Sequence, residues 1–329
     1  MSRQPPDPQE SRSRSNDACG AVTDCDLAAA WQAAMRAGEF AAAWQISDAV
    51  MGRRDLAQRD DPALPYHQRW VWDGRRFGGR DVLVRCYHGL GDTLQFARFL
   101  PELRRRAGSV MLETQPELAP LLAPLLDPGA IIPFDQSRPV PPRDCDLEIM
   151  ELAHALRMAP DQAPGPYLRA CPLPLPREEK PLIGLCWSVG DWAPERSLPF
   201  ESLARIVLGT HATLVKLQHG AEGARAEASY PGLFINAGDS LCGLMYTARL
   251  VATLDLVITV DTMTAHLAGA LGCPVWVLLP EPADWRWMDQ RQDSPWYPSL
   301  RLFRQHKAGD WRAPLDEIAA RLASMALER

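Results

Sequence analysis

Two short stretches of the chain put chemistry-bearing side chains at the ends of apolar runs. The first is Val84-Arg85-Cys86-Tyr87-His88-Gly89-Leu90-Gly91-Asp92-Thr93. Apolar residues alternate into it from Asp81, two glycines break the run, and a helical pattern (Leu94, Ala97, Leu100) follows. This spacing predicts strand, tight turn and helix. It sets the Gly91 backbone and the Asp92 carboxylate at the carboxyl edge of a first strand, where open α/β sheets bind ligands. A lone Gly-x-Gly turn does not say what is bound.

The second stretch is Asp261-Thr262-Met263-Thr264-Ala265-His266-Leu267-Ala268-Gly269-Ala270-Leu271-Gly272. A β-branched run stops at an aspartate, and a helix begins at once with threonine as N-cap. The free N–H groups and positive dipole end of such a helix form an anion site suited to phosphate. Small residues at 265 and 268–270 would let the helix lie close to its sheet. His266, one turn in, has two readings. It could reach a phosphate or sugar hydroxyl, or it is a hydrogen-bonded core histidine with Asp261 as a helix cap.

These stretches need a scaffold, and the composition supplies a globular one. The 329 residues suggest about two domains. Apolar content of 47% and charged content of 23% are ordinary for such a protein. The 35 basic and 41 acidic residues give a formal charge of −6, so no broad basic surface recommends a nucleic-acid partner. The run Arg104-Arg105-Arg106 reads as a helix end complementing the dipole. No apolar run is long enough to span a bilayer, and the N-terminus lacks a secretory apolar core. A cytoplasmic protein is expected. The eight cysteines are scattered without Cys-x-x-Cys or zinc-type spacing, so buried free thiols are expected rather than disulfides or a metal site.

In chain order, residues 1–24 read as a disordered tail. Residues 25–60 read as a helical hairpin: Leu27, Trp31 and Met35 on one helix, Gly38 as a stop, Phe40, Trp44 and Ile46 on the next. The hairpin resembles one tetratricopeptide repeat, and with no second copy there is no solenoid. A first parallel-sheet domain is expected over 61–176. After the helix near Asp92, Pro101 forces a kink or a fresh start. Then come Val110–Leu112 (strand), Leu118–Leu125 (helix), Ile131–Ile132 and Leu147–Ile149 (strands) and Leu152–Met158 (helix). The proline-rich, charged segment 172–181 is a linker. A second α/β series over 177–329 follows: strand Leu182–Trp187, helix Phe200–Leu208, strand Ala212–Leu217, helix 241–252, strand Leu254–Val260, helix Met263–Leu271 and strand Val275–Leu279. A tryptophan-rich loop, read as packing, and an amphipathic helix (Leu315, Ile318, Leu322, Met325) close the chain.

Together these segments resemble the inverting glycosyltransferases of family 9, related to the ADP-heptose:lipopolysaccharide heptosyltransferases. They are closer still to the glycosyltransferase domains that follow tetratricopeptide repeats in many bacteria. The resemblance rests on Gly89–Thr93 with Pro101, Ile183–Trp187, Arg196-Ser197-Leu198-Pro199 and Leu217-Gln218. Asp261-Thr262 with His266-Leu267-Ala268, Asp284-Trp285-Arg286-Trp287 and Asp293–Pro298 complete it, in order over roughly residues 70 to 311.

The resemblance implies a GT-B architecture, two Rossmann-like domains facing across a cleft. The acceptor would sit mainly on the first, beside His88, Gly89 and Gly91, and a nucleotide-diphosphate sugar on the second. It implies catalysis without metal or other cofactor. It makes Asp92 the general base and gives the Thr262, Met263 and Thr264 amides to the donor phosphates. Arg196 would contact phosphate, Gln218 and Glu222 the nucleoside, and Asp261 the donor sugar. Two departures stand out: Met263 replaces a glycine, and Arg196 replaces a lysine that is not equivalent at a phosphate. The expected function is a metal-independent inverting transfer to a hydroxyl of a glycan, lipopolysaccharide or protein. Peripheral membrane association is left open. The alternative is a degenerate GT-B domain acting as a nucleotide-, sugar- or protein-binding module.

Overall fold

The computed structural model describes residues 23–327 except 139, 164, 176–178, 191–192, 236 and 238–242. The tail expected over 1–24 lies outside these residues save for its last two, the N-cap and the first residue of a helix. Helix α1 (Asp24–Ala37) starts behind Thr23, whose hydroxyl accepts the Asp26 N–H while the Asp26 carboxylate accepts the Thr23 N–H. Gly38 ends the helix in the left-handed conformation, φ 76°. Helix α2 (Phe40–Met51) completes the hairpin.

The first α/β unit contains β1 (Asp81–Arg85), α3 (Leu90–Phe96), α4 (Leu100–Arg106), β2 (Ser109–Thr114), α5 (Ala119–Leu122), β3 (Ile131–Pro133), β4 (Cys145–Glu148) and α6 (Leu152–Leu156). Pro101 falls in the first turn of α4, where its missing N–H costs nothing, and a 3-10 turn separates α4 from α3. The second unit contains β5 (Leu182–Cys186), α7 (Phe200–Val207), β6 (Thr213–Lys216), α8 (Gly220–Ser229), α9 (Gly243–Val251), β7 (Leu256–Val260), α10 (Met263–Leu271), β8 (Val275–Leu279), β9 (Leu300–Arg304) and α11 (Arg312–Leu327).

Both sheets are parallel, in the orders β3-β2-β1-β4 and β6-β5-β7-β8-β9. The strand order reverses between β1 and β4 in one sheet and between β5 and β7 in the other. Crevices for ligands open at the carboxyl ends of such strand pairs. The turn at Gly89–Asp92 follows β1, Glu148 ends β4, and Asp261 follows β7, so these residues stand at the two crevices.

Three expectations need correction. Ile149 leaves the strand for a 3-10 turn, because the Glu148 carboxylate accepts the Met150 N–H (2.7 Å) and caps it. Helix α8 was unexpected: its run of alanine, glycine and glutamate has no apolar stripe. Strand β9 was also missed, since Leu300-Arg301-Leu302-Phe303-Arg304 alternates imperfectly and follows a proline-rich loop. The expected helix over 241–252 is described from Gly243, leaving Leu241 outside the described residues.

The hairpin packs on both α/β units. Arg36 donates to the Ala283 carbonyl (2.6 Å) and pairs with Asp289 (3.1 Å), while Asp48 meets His154 of α6 (2.9 Å). Trp31 meets Trp285 edge-on at 4.9 Å. In the tryptophan-rich loop Trp287, Trp296 and Tyr297 are buried, as packing residues should be. The described cysteines are all free, with Cys86, Cys145 and Cys186 buried. No helix among the described residues is long and apolar enough to cross a membrane.

Helix α10 lies close to the Tyr297 ring. A Cβ on Gly269 would meet that ring at 2.5 Å, so glycine is required for the approach rather than for its backbone freedom. Gly269→Ala is therefore expected to destabilise by about 1–3 kcal/mol through overpacking, read as a lower urea midpoint. A midpoint equal to wild type would show that Tyr297 yields freely.

Candidate active site in the interdomain cleft

A cleft of about 580 Å³ is lined from one side by the Gly89–Asp92 turn and from the other by Arg196, Asp261–Thr264 and Arg286. Each group is where it is for a local reason. Asp92 sits in the first turn of α3, and its Oδ2 accepts the Gly89 N–H at 3.1 Å. The other oxygen faces the second unit and accepts from Arg286 Nη2 at 2.5 Å. Arg286 also donates to Gln95 Oε1 (2.9 Å) and to Asp284 Oδ1 (2.9 Å), so its planar fork joins the two units. Asp284 caps its own turn by accepting the Arg286 N–H (3.0 Å). A second arginine, Arg196, lies 3.1 Å from Asp261 Oδ2 and 3.6 Å from Asp284 Oδ2.

Three carboxylates and two guanidiniums thus share one cleft. Burial pushes the Asp261 carboxyl up to about 6, against the pull of Arg196 and with reinforcement from Asp284. Asp284, by contrast, is held below its usual value: burial alone would raise it, but the charge and hydrogen bonds of Arg286 prevail.

The mouth of α10 is built as expected. Thr262 is the N-cap in an extended conformation, and its hydroxyl accepts the Thr264 N–H at 3.2 Å. This engages the Thr264 amide, so of the three amides expected to hold phosphate only those of Thr262 and Met263 stay clear of the cap. Met263 occupies the first helical position and lines the cleft.

His266 is buried and hydrogen-bonded. Its Nδ1 lies 3.0 Å from the Tyr297 hydroxyl and its ring stacks on Trp287 at 5.3 Å. The opposite ring edge forms part of the cleft wall. Burial, helped by the Arg286 charge, pushes the imidazole down to about 3. In the unfolded chain it titrates near 6.5. As pH falls, the unfolded state takes up this proton first. The stability tied to neutral His266 is therefore complete above about 6.5 and lost as pH falls from there toward about 3. His266→Gln should flatten the fall of urea-melt stability between about pH 6.5 and 4. An acid limb of unchanged slope would contradict the neutral, buried assignment.

No protein-family model matches the chain. It is 26% identical over 304 residues to Protein FlbA of Caulobacter vibrioides, covering 78% of this chain and 48% of FlbA, so it spans about half the length of that relative. Among solved structures, the glycosyl transferase family 9 protein from Veillonella parvula DSM 2008 superposes with a TM-score of 0.53 at 12% identity, over 78% of this chain and 99% of that one. For E. coli ADP-heptose LPS heptosyltransferase II the TM-score is 0.50 at 16% identity, over 74% and 99%. For E. coli heptosyltransferase WaaC with ADP-2-deoxy-2-fluoro heptose it is 0.50 at 13% identity, over 75% and 99%. Two parallel-sheet units facing across a cleft, in the arrangement of these proteins, decide the architecture. The fold is GT-B. At these identities the likeness is one of fold.

The GT-B cleft gathers most of the residues singled out in the sequence. Asp92, Gly89, Gly91, Arg196, Gln218, Asp261, Thr262, Met263, Thr264 and His266 all line it. Two of them also have structural duties. Gln218 Oε1 accepts the Trp187 and Ser188 N–H groups (3.0 and 2.9 Å), so it fastens the loop after β5. At Gly91 a Cβ would stand 3.0 Å from His266 Cδ2, so the glycine lets α3 approach α10 across the cleft. Two others lie elsewhere. Glu222, on α8, pairs with Arg225 and lines a neighbouring recess. His88 points to a separate cavity, 4.0 Å from Glu148 Oε2. Arg286 and Asp284 were absent from the candidates although their segment carried the resemblance. A charged pair inside an aromatic, buried loop was the available signal.

Proposed function

We propose that the GT-B cleft binds a nucleotide-diphosphate sugar and transfers the sugar, with inversion and without a metal, to the hydroxyl of a glycan, lipopolysaccharide or protein. The observation that carries this is the placement of one carboxylate, Asp92, opposite the α10 N-terminus, with Arg196 and Arg286 between them. The heptosyltransferase that superposes on this chain was solved with an ADP-sugar analogue.

In this reading the acceptor oxygen attacks the anomeric carbon while Asp92 takes its proton. The bond from that carbon to the phosphate oxygen breaks, and the nucleoside diphosphate leaves with the electron pair. The charge on the departing phosphate falls to the Thr262 and Met263 amides, the helix dipole and the two arginines. These fixed cations supply the positive charge that a metal gives in other transferases. A single displacement inverts the anomeric centre and needs one base and no protein nucleophile. The nucleoside would lie toward the loop after β5, which Gln218 holds.

Incubation with ADP-, UDP- and GDP-sugars tests the reading. One nucleotide series should raise the melting temperature, by about 2.7 kcal/mol of stability at a hundredfold excess over its Kd, and slow release of free sugar should follow in the same series. No stabilisation by any nucleotide would remove the transferase reading and favour a degenerate binding module.

A further inference from the structure

A second cavity, of about 530 Å³, lies between the α1–α2 hairpin and the first sheet. It opens at the carboxyl ends of β1 and β4, the switch point of that sheet. Its walls are aromatic: Trp31 and Trp44 come from the hairpin, Trp70 precedes β1, and Trp285 comes from the second unit. The cleft already described adjoins it. His88 and Trp285 line this cavity, and their chain neighbours Gly89 and Arg286 line the other.

One polar group in the cavity lacks a partner. The Glu148 side chain is 4% exposed, and while its Oε2 accepts the Met150 N–H, its buried Oε1 has no hydrogen bond. Such an atom is costly unless something completes it. Burial, with Glu151 nearby, raises the Glu148 carboxyl well above the usual range. The remaining charges are matched within the protein. Arg54 pairs with Glu151 (3.0 Å), Arg69 with Asp60 (3.5 Å), and His154 with Asp48 (2.9 Å). A charged ligand would find no counter-ion left over. Flat aromatic faces with a buried carboxyl oxygen that lacks a partner suit a ring that is apolar on its faces and hydroxylated at its rim.

We infer that this cavity is a binding pocket for a neutral sugar, the acceptor end of a glycan or glycoside, stacked on the tryptophans and hydrogen-bonded by Glu148. Placed there, its hydroxyl lies beside the Gly89–Asp92 turn, and the hairpin is a wall of the site rather than an appendage. The role as acceptor pocket rests on the transferase reading; the binding of a neutral sugar does not.

The test uses the full chain and tryptophan fluorescence, with methyl glycosides of neutral hexoses, deoxyhexoses and N-acetylhexosamines against glucuronate as a charged control. At least one neutral glycoside should shift the emission saturably, and glucuronate should not. Glu148→Leu, which leaves one buried hydrogen bond unmade, and Trp70→Ala, which removes a stacking face, both checked for wild-type-like melting, should each weaken that binding at least about tenfold. Glu148→Gln should retain most of it, and ADP, UDP or GDP affinity should not change in any variant. Absence of a saturable shift with every neutral glycoside, preference for glucuronate, or binding indifferent to both Glu148→Leu and Trp70→Ala would overturn the proposal. Glycoside binding without any nucleotide binding would remove the transferase reading and leave this pocket standing.

Discussion

Asp92→Asn should reduce sugar transfer by roughly 10²–10⁴-fold, the range for loss of a positioned general base, while leaving nucleotide affinity intact. The substitution is nearly isosteric. An amide oxygen can still accept the Gly89 N–H that Asp92 Oδ2 accepts at 3.1 Å, so the turn should persist. Its single oxygen cannot also serve Arg286: the amide NH2 takes the Oδ1 position and faces Arg286 Nη2 donor to donor, so that contact is lost. What asparagine cannot do is take the acceptor proton. A purely structural Asp92, acting as a helix cap, would give a different pattern: a lowered melting temperature with turnover per folded molecule unchanged. Initial rates with a saturating donor, scaled to the folded fraction, separate the two.

The contact between Asp92 and Arg286 bears on how the base is used. With Arg286 Nη2 at 2.5 Å, Asp92 Oδ1 is already engaged as a hydrogen-bond acceptor and is not free to meet an acceptor hydroxyl. In the proposed reaction a donor diphosphate would compete for the same guanidinium. Binding of donor would then draw Arg286 toward the phosphates and leave Asp92 facing the acceptor, which makes base activation depend on donor binding.

Arg286→Ala should cost about 3–5 kcal/mol of stability, as expected for removal of one partner from a buried ionic group. The side chain is 13% exposed and serves Asp92, Asp284 and Gln95 together, with the guanidinium over Trp285 at 4.4 Å. Its loss leaves Asp92 and Asp284 without their shared cation and unties the two α/β units. Arg286→Lys restores the charge but not the fork, and should recover only part of the loss. Urea melts followed by far-UV circular dichroism and by tryptophan fluorescence would read the effect. Coincident wild-type-like curves for Arg286→Ala would mean that the cleft does not depend on this contact.

The sequence carried much of this site because its signals are local. The strand Leu256–Val260 is β-branched and stops at an aspartate, Thr262 is a strong cap, and Gly272 adopts φ 77°, so the bounds of α10 could be read directly. Asp92 was legible for the same reason: a strand, two glycines and an apolar helical pattern lie within a dozen residues. Arg286 was not, because its partner Asp92 is 194 positions away and no spacing rule spans that distance. Glu148 looked like one polar residue in a short strand. Only the pairing of β4 with β1 brings it to the switch point beside His88. His266 was ambiguous until Tyr297 and Trp287, from a distant loop, enclosed its ring. The hairpin gave its own helices away through Gly38, yet its role as a wall depends on tertiary contacts with both units.

A crystal structure with a nucleoside diphosphate soaked into the cleft tests the central claim most directly. The account predicts phosphate density against the Thr262 and Met263 amides at the α10 N-terminus, within reach of Arg196 and Arg286, and Asp92 on the opposite wall with its Arg286 contact lengthened. A nucleotide bound elsewhere, or a cleft still closed by the Asp92–Arg286 pair at saturating nucleotide, would contradict it.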